Sequence, residues 1–467
     1  MDLKMQRNIL QEKKMTTNPS FVLGYDEFQL KKGQEAPFVW NQGELANGHV
    51  GITGTSGSGK TYQIRRFLSA YAADPDTQIS IFDYHGDIDV PGASEVLFSE
   101  STRYGYNPFV VNPDPHYGGL RKAANHIIDI MSSNRKLGEQ QAAVLRQLVT
   151  DCYGVKWMTQ DKPSSWVKRN ASETECEQLY SDRNWKALGQ CYPTLTDLER
   201  LIQKKLKMGL FGVDENNQAN VALRAFESFM RSTRTFVKAK ERHSKEDTEK
   251  TEQAVAKARE TAIQEYEKAL SETRTGSEME EILKYDSVDT LKSLLIRLEN
   301  VKALGLFNAN EPPFTGRIHR YNIKPLASSE SELKMFIYSR MLAIFFQEMQ
   351  KGESNGRVRH VIALDEAKRF CDEDPSNPIN IIANEARKFG IALVLASQSP
   401  THFSADFINS AGTLLIQNMA PGDWTHAATK LQIEKSKLQY LKPQQTALLK
   451  LQRVGENSRW FSLDFKR

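Results

Sequence analysis

His49-Val50-Gly51-Ile52-Thr53-Gly54-Thr55-Ser56-Gly57-Ser58-Gly59-Lys60-Thr61-Tyr62-Gln63-Ile64 decides the fold: a short apolar run, a glycine-rich turn and the start of a helix follow one another without a gap. Glycines let backbone N–H groups wrap a phosphate, a lysine closing the loop reaches the β- and γ-phosphates, and the next hydroxyl can ligate Mg²⁺. The phosphate-binding set is therefore Gly54, Thr55, Ser56, Gly57, Ser58, Gly59, Lys60 and Thr61, with ATP and Mg²⁺ as the implied ligands. A flexible turn before an ordinary helix would carry the same letters. The strand before the loop and the helix after it argue against that plainer reading.

His360-Val361-Ile362-Ala363-Leu364-Asp365-Glu366-Ala367 supplies the other half of such a site. A buried strand closed by two acids lets the first, Asp365, hold Mg²⁺ through its water shell and the second, Glu366, polarise an attacking water. Alone, the run also suits a strand leaving the core for solvent. Beside the Lys60 loop it points to nucleotide hydrolysis. Further on, Ile391-Ala392-Leu393-Val394-Leu395-Ala396 reads as a strand ending in Ser397-Gln398-Ser399-Pro400. The Gln398 amide can donate to a phosphate oxygen and accept from the attacking water. Between these stretches, the apolar run from Gln78 to Phe82 ends in Asp83-Tyr84-His85-Gly86-Asp87. In a parallel sheet that places Asp83 and His85 at a carboxyl end beside the nucleotide.

Strand runs interleave with helical spacing, so an α/β fold with one mostly parallel sheet is expected, the site lying at its carboxyl edge. Residues 1–20 read as a flexible N-terminus, and Phe21–Tyr25 and Pro37–Trp40 as a short β lead-in. The core is expected over 21–120 and 315–467, with a mainly α-helical insertion at 121–314. Within the insertion, Leu120–Val155 has the spacing of a helical hairpin broken at Lys136-Leu137-Gly138, and 156–190 suits a loop-rich stretch. Thr194, three residues before Asp197, marks a helix start. From about 238 to 284 Lys, Glu and Arg dominate, which predicts a long exposed helix or helical pair. A solvated helix is the plain reading of that charge, and an arm gripping DNA or a partner the sharper one. Leu291–Leu298 and Met335–Met349 then read as helices, and Arg317–Ile323, Thr413–Ile416, Ala447–Leu451 and Trp460–Phe465 as strands.

Composition narrows the partners. A chain of 467 residues holds two or three domains by length, and a formal charge of only +4 confines any DNA contact to a local patch. Cys152, Cys176, Cys191 and Cys371 lack paired or metal-ligand spacing, which fits a reducing cytoplasm and no disulfide. The basic N-terminus has no apolar core of a signal peptide, and no run approaches the roughly 20 apolar residues that span a bilayer.

Together these stretches resemble the HerA/FtsK superfamily of ring-forming DNA motors, and the HerA branch most closely. The likeness lies in the Gly54–Thr61 loop, in Asp83-Tyr84-His85-Gly86-Asp87, in Leu364-Asp365-Glu366-Ala367, and in Glu385-Ala386-Arg387-Lys388-Phe389-Gly390 running into Ser397-Gln398-Ser399-Pro400. The second of these is similar to the Asp-x-His-Gly-Glu segment of HerA proteins. The likeness covers residues 40–120 and 320–467. It implies a RecA-like P-loop NTPase core, usually a homohexamer around double-stranded DNA, in which ATP hydrolysis at subunit boundaries drives translocation or duplex opening. It also implies that Arg387 is supplied in trans to a neighbour's γ-phosphate. A surface arginine favoured by a helix-end dipole is the alternative. Two departures stand out: only about fifty residues precede the loop, where HerA proteins usually carry a β-barrel domain, and Ser399 stands where the family often has arginine.

The chain is thus expected to be an ATPase, a HerA-like hexameric DNA translocase or helicase coupled to a nuclease or other effector in DNA processing or antiviral defence. One rival is a coupling ATPase of conjugative transfer, a class that normally carries N-terminal membrane helices. The other is an ATP-gated scaffold that assembles a nuclease or NAD-consuming partner and uses hydrolysis to time it.

Overall fold

Strands with no polar alternation are buried on both faces, as parallel strands between helical layers must be. Val50–Thr53, His360–Leu364 and Ile391–Ser397 are buried along their whole length and lie in one sheet. The computed structural model describes residues 19–116, 118–132, 135–211, 217–241, 245–271, 285 and 288–465. Most of the N-terminus read as flexible, residues 1–18, lies outside the described residues, as do 242–244 and 272–284 of the charged stretch.

Two compact units are present, one built from the described residues of 1–106, 304–306 and 310–467, the other from 107–303 and 307–309. The first is organised on eleven strands: β1 (Ser20–Asp26), β2 (Pro37–Asn41), β3 (Val50–Thr53), β4 (Gln78–Asp83), β5 (Ser94–Leu97), β6 (Ile318–Asn322), β7 (His360–Leu364), β8 (Ile391–Ser397), β9 (Thr413–Ile416), β10 (Thr446–Leu451) and β11 (Arg459–Asp464). Their order is β2-β1-β11-β10-β9-β3-β8-β7-β4-β6-β5. From β9 to β5 all neighbours are parallel, while β10, β11, β1 and β2 extend the other edge antiparallel. The fold is α/β with a mostly parallel sheet, and the two lead-in strands pair with the chain's last strand.

Register fixes which loops meet. Thr53 sits beside Ser397 on one side and Ile416 on the other, and Leu364 sits beside Leu395 and Phe82. The loops leaving β3, β8, β7 and β4 at their carboxyl ends are therefore neighbours. The helix Lys60–Ala72 packs Ile64, Phe67, Leu68 and Tyr71 under the sheet, where they join Trp40, Val50, Ile52, Ile79 and Val394. Burying each such side chain contributes roughly 1.5–3 kcal/mol, enough to hold the helix start against β3.

β5 is absent from the sequence reading because only Val96 of its four residues is buried, so no apolar run announces it. In the second unit the helical hairpin is Leu120–Met131 and Glu139–Val155, and Leu195–Phe211 begins where Thr194 and Asp197 bond each other's backbone N–H groups. The stretch read as loop-rich contains the helices Glu173–Ser181 and Trp185–Leu188, the first capped by Ser172, with Cys176 and Cys191 in a small apolar cluster. The charged stretch is a helical pair, Asn217–Glu241 and Lys245–Ser271, packed along each other and beginning well before 238. Among the described residues no helix is long and apolar enough to cross a membrane.

Candidate active site

The glycine loop is tied down on three sides. Gly54 donates its N–H to Ser397 O at 3.1 Å, Thr55 donates to Asn418 O at 2.8 Å, and Gln444 Nε2 donates to Gly57 O at 2.7 Å. Ser58 Oγ bonds Gln417 Oε1 at 3.3 Å. A Cβ added at Gly54 would stand 2.3 Å from Ser58 Oγ, so the loop closes this tightly only with glycine there. Gly59 caps the following helix at a φ of 102°, open to glycine and costly for other residues. It offers no side chain to the helix's first N–H groups.

Lys60 Nζ donates to Gly54 O at 2.8 Å and Thr55 O at 3.2 Å, so its ammonium lies in the mouth of the loop. Burial pushes its pKa below the ordinary lysine value, opposed by the charges of Asp365, Glu366 and Asp87. Both partners are neutral carbonyls, and an ammonium bonds an anionic oxygen about twice as strongly. The loop and its lysine therefore fit a phosphate.

The two acids follow β7. Asp365 is buried, and burial pushes its carboxyl up to about 6 from the ordinary 3.8. Its Oδ1 accepts the Glu366 N–H at 2.9 Å, and Glu366 takes a left-handed φ of 53°. From the turn after β4, His85 Nε2 comes within 3.2 Å of Glu366 Oε1 and 3.9 Å of Asp365 Oδ2. Thr61 Oγ1 donates to Asp87 Oδ2 at 3.3 Å. Among the described residues no group of three or more His, Cys, Asp or Glu could hold a metal alone. A hydroxyl with one or two carboxylates suits Mg²⁺, which takes its remaining ligands from phosphate and water.

Asp83 stands at the carboxyl end of β4, as the sequence reading places it, but its carboxylate is taken up by the protein. It is fully buried and spends both oxygens on the N–H groups of Gly86, Asp87 and Ile88 and on Arg320, 2.8 Å away. It shapes the turn that presents His85 and Asp87. Gln398 is exposed at the carboxyl end of β8, between the loops of β3 and β7. Arg387 is not brought to this edge: it lies exposed in the short turn Ala386–Phe389 just before the amino end of β8. Seven residues of strand, roughly 23 Å, separate the two ends.

A family model described as "Helicase HerA, central domain" matches residues 29–344. The chain belongs to the HerA central-domain family. The match takes in Gly54–Thr61 and Asp83–Asp87 and ends before Asp365 and Gln398. Among solved structures, VirB4 of Thermoanaerobacter pseudethanolicus is similar over 96% of each chain, with a TM-score of 0.59 at 14% identity. The bacterial conjugative coupling protein TrwBdeltaN70, in its unbound monoclinic form, aligns over 90% of this chain and 85% of its own, with a TM-score of 0.41 at 12% identity. No curated protein gave a significant match. This HerA-family chain is a P-loop ATPase whose fold is shared with VirB4.

Three supports of the HerA-family site were missed in the sequence: Gln417 and Asn418 after β9, and Gln444. The first two follow a strand end as polar residues, a signal that was available. Gln444 carries no such signal, since only the antiparallel edge brings it to Gly57.

Proposed function

We propose that this chain is the ATP-driven subunit of a ring that acts on double-stranded DNA, with a nuclease or other effector as partner in DNA processing or antiviral defence. The observation that carries the hydrolytic part is the meeting of Lys60, Thr61, Asp365, Glu366 and His85 at one sheet edge, with His85 3.2 Å from Glu366. Lys60 leaves its two carbonyls for the β- and γ-phosphates of ATP, and the loop N–H groups hold the remaining phosphate oxygens. Thr61 and Asp365 would hold Mg²⁺, which when bound neutralises phosphate charge. Glu366 polarises the attacking water while His85 fixes its carboxylate, and Gln398 reads the γ-phosphate from the neighbouring strand end. Arg387 lies too far from its own Lys60 to act there, which supports its service to a neighbouring subunit's site.

The DNA part is supported by membership of a family described as a helicase. ATP turnover measured with and without duplex DNA, together with the mass of the assembly by light scattering, tests it. DNA-stimulated turnover by a ring-sized assembly is the expected result. Turnover indifferent to DNA, with an effector that co-purifies stably, would instead support the scaffold reading.

A further inference from the structure

The helical pair Asn217–Glu241 and Lys245–Ser271 has a use that hydrolysis does not account for. Its two helices pack along each other and are separated by only three residues of sequence, so they run antiparallel. The seam between them is marked by burial at heptad spacing: Ala222, Phe229 and Phe236 on the first helix, Val255, Ala262 and Ala269 on the second, all covered more than their neighbours.

One residue past that seam lies a second apolar stripe. It comprises Phe226, Met230 and Val237 on the first helix and Ile263, Tyr266 and Leu270 on the second, each between 40% and 50% exposed. A step of one residue turns about 100° round a helix, and in an antiparallel pair that turn carries both stripes to the same side of the hairpin. The hairpin therefore has one apolar face along its length. Six large side chains on one face form a patch of the kind that marks an interaction surface.

We infer that this face is covered by the same face of a second copy of the chain, giving an antiparallel four-helix bundle about a two-fold axis that runs along the hairpins. Charge selects the partner and the axis. The first helix carries five basic and two acidic residues, the second seven acidic and five basic. The outer edge of the stripe holds Arg224, Glu227, Arg231, Arg234 and Lys238 on the first helix and Lys257, Glu260 and Glu267 on the second, all exposed. Counted from the connection at 242–244, Arg224 and Glu260 stand within one helical turn of the same height, and so do Glu227 and Lys257. Within one copy these residues lie on opposite edges of the face, where Glu227 is 3.7 Å from Arg231 of its own helix.

A two-fold along the hairpins sets each first helix on the partner's second helix. Arg224 then meets the partner's Glu260, and Glu227 the partner's Lys257, twice over. A two-fold across the hairpins would set first helix on first helix, basic edge against basic edge, which like charges oppose. Duplex DNA calls for one sign of charge and gives an apolar stripe nothing to pack on. Size agrees with a stable pairing: 25 residues of helix run about 38 Å, and two helices side by side span about 20 Å, a footprint of roughly 760 Å² beside the roughly 800 Å² per partner of a standard interface. This pairing adds to whatever assembly the ATPase units form among themselves.

Charge reversal on the full chain tests it, read by sedimentation equilibrium. Arg224→Glu with Glu227→Lys makes one variant, and Lys257→Glu with Glu260→Lys the other. In each variant alone, four opposite-charge contacts become like-charge ones, and pairing should weaken by tenfold or more, with the assembly mass falling to half that of wild type. Mixing the two variants makes all four contacts opposite again, so the wild-type mass should return. A variant with Phe226→Glu and Ile263→Glu should also sediment at half mass, with no recovery on mixing. Wild-type mass in all three variants, or no recovery when the two charge variants are mixed, would overturn the pairing. So would weaker binding of duplex DNA by the charge variants at unchanged mass, which would make the hairpin a DNA grip.

Discussion

His85 Nε2 stands 3.2 Å from Glu366 Oε1, and the two residues arrive there on loops that leave adjacent parallel strands, β4 and β7. Glu366 is also held at a φ of 53°, a conformation that costs a non-glycine residue roughly 1–3 kcal/mol and persists only where neighbours enforce it. Asp365 bonds its backbone and His85 its carboxylate, so the acid is aimed from both ends.

From that geometry Glu366→Gln should leave ATP binding intact and lower kcat by about 10² or more. His85→Ala should lower kcat by roughly 10- to 100-fold with KM little changed, since a misaimed acid costs rate and not ground-state binding. Steady-state ATPase assays check both. Wild-type kcat in His85→Ala would make the contact incidental.

Behind His85, the carboxylate of Asp83 bonds three backbone N–H groups and Arg320, which also reaches Glu95 at 3.0 Å. Arg320 is 6% exposed and Asp83 fully buried, so removing one partner leaves a charge stranded in the interior. Arg320→Met should destabilise the sheet unit by roughly 3–5 kcal/mol, because such a charge keeps its desolvation cost and loses its compensation. Calorimetric unfolding should show Tm lower by roughly 5–15 °C, and a shift of a degree or less would mean that the three N–H groups suffice.

Much of this arrangement was legible where chemistry and pattern coincide. Val50–Thr53, His360–Leu364 and Ile391–Ser397 announce themselves because both faces are buried and each ends in polar residues. The helix Glu173–Ser181 does not, because one buried cysteine gives no periodic stripe and the Ser172 cap does much of the work. Nor could the pairing of β1 with β11 be read, since Tyr25 and Asp464 are brought together by sheet order and no local signal records it. Asp83 shows what position alone leaves out: the strand end was legible, but its burial and its three N–H donors, which make it a brace for the turn, were not.

Acid should act on the fold through His49. Its ring is fully buried, Nδ1 accepts the Leu393 N–H at 3.0 Å, and burial lowers its pKa from 6.5 to about 4. The unfolded chain therefore binds more protons between those values, and stability falls as pH drops from 6.5 towards 4, by roughly 3 kcal/mol in all. Asp365 works with the opposite sign, since a carboxyl raised to about 6 favours the folded state at lower pH. Urea unfolding of wild type and His49→Asn at several pH values isolates the histidine by difference. Asn places an acceptor where Nδ1 sits, so the variant's curve should be flatter on the acid side. Parallel curves would remove His49 from the account.

Arg387 offers the sharpest test of assembly, because its place before the amino end of β8 keeps it from Lys60 of the same chain. If it completes a neighbour's site, Arg387→Ala should lower turnover by about 10³ or more while ATP still binds, since such an arginine acts on transition-state charge. Glu366→Gln subunits are also inactive, yet they retain Arg387. Mixing the two inactive variants should then restore part of the activity. Wherever a Glu366→Gln subunit presents its arginine to an Arg387→Ala subunit, that site has both groups. Recovery must grow with the mole fraction of mixed neighbours and vanish when subunits cannot exchange. No recovery from mixtures shown by mass spectrometry to contain both chains would return Arg387 to the surface role that its exposure and helix-end position equally permit.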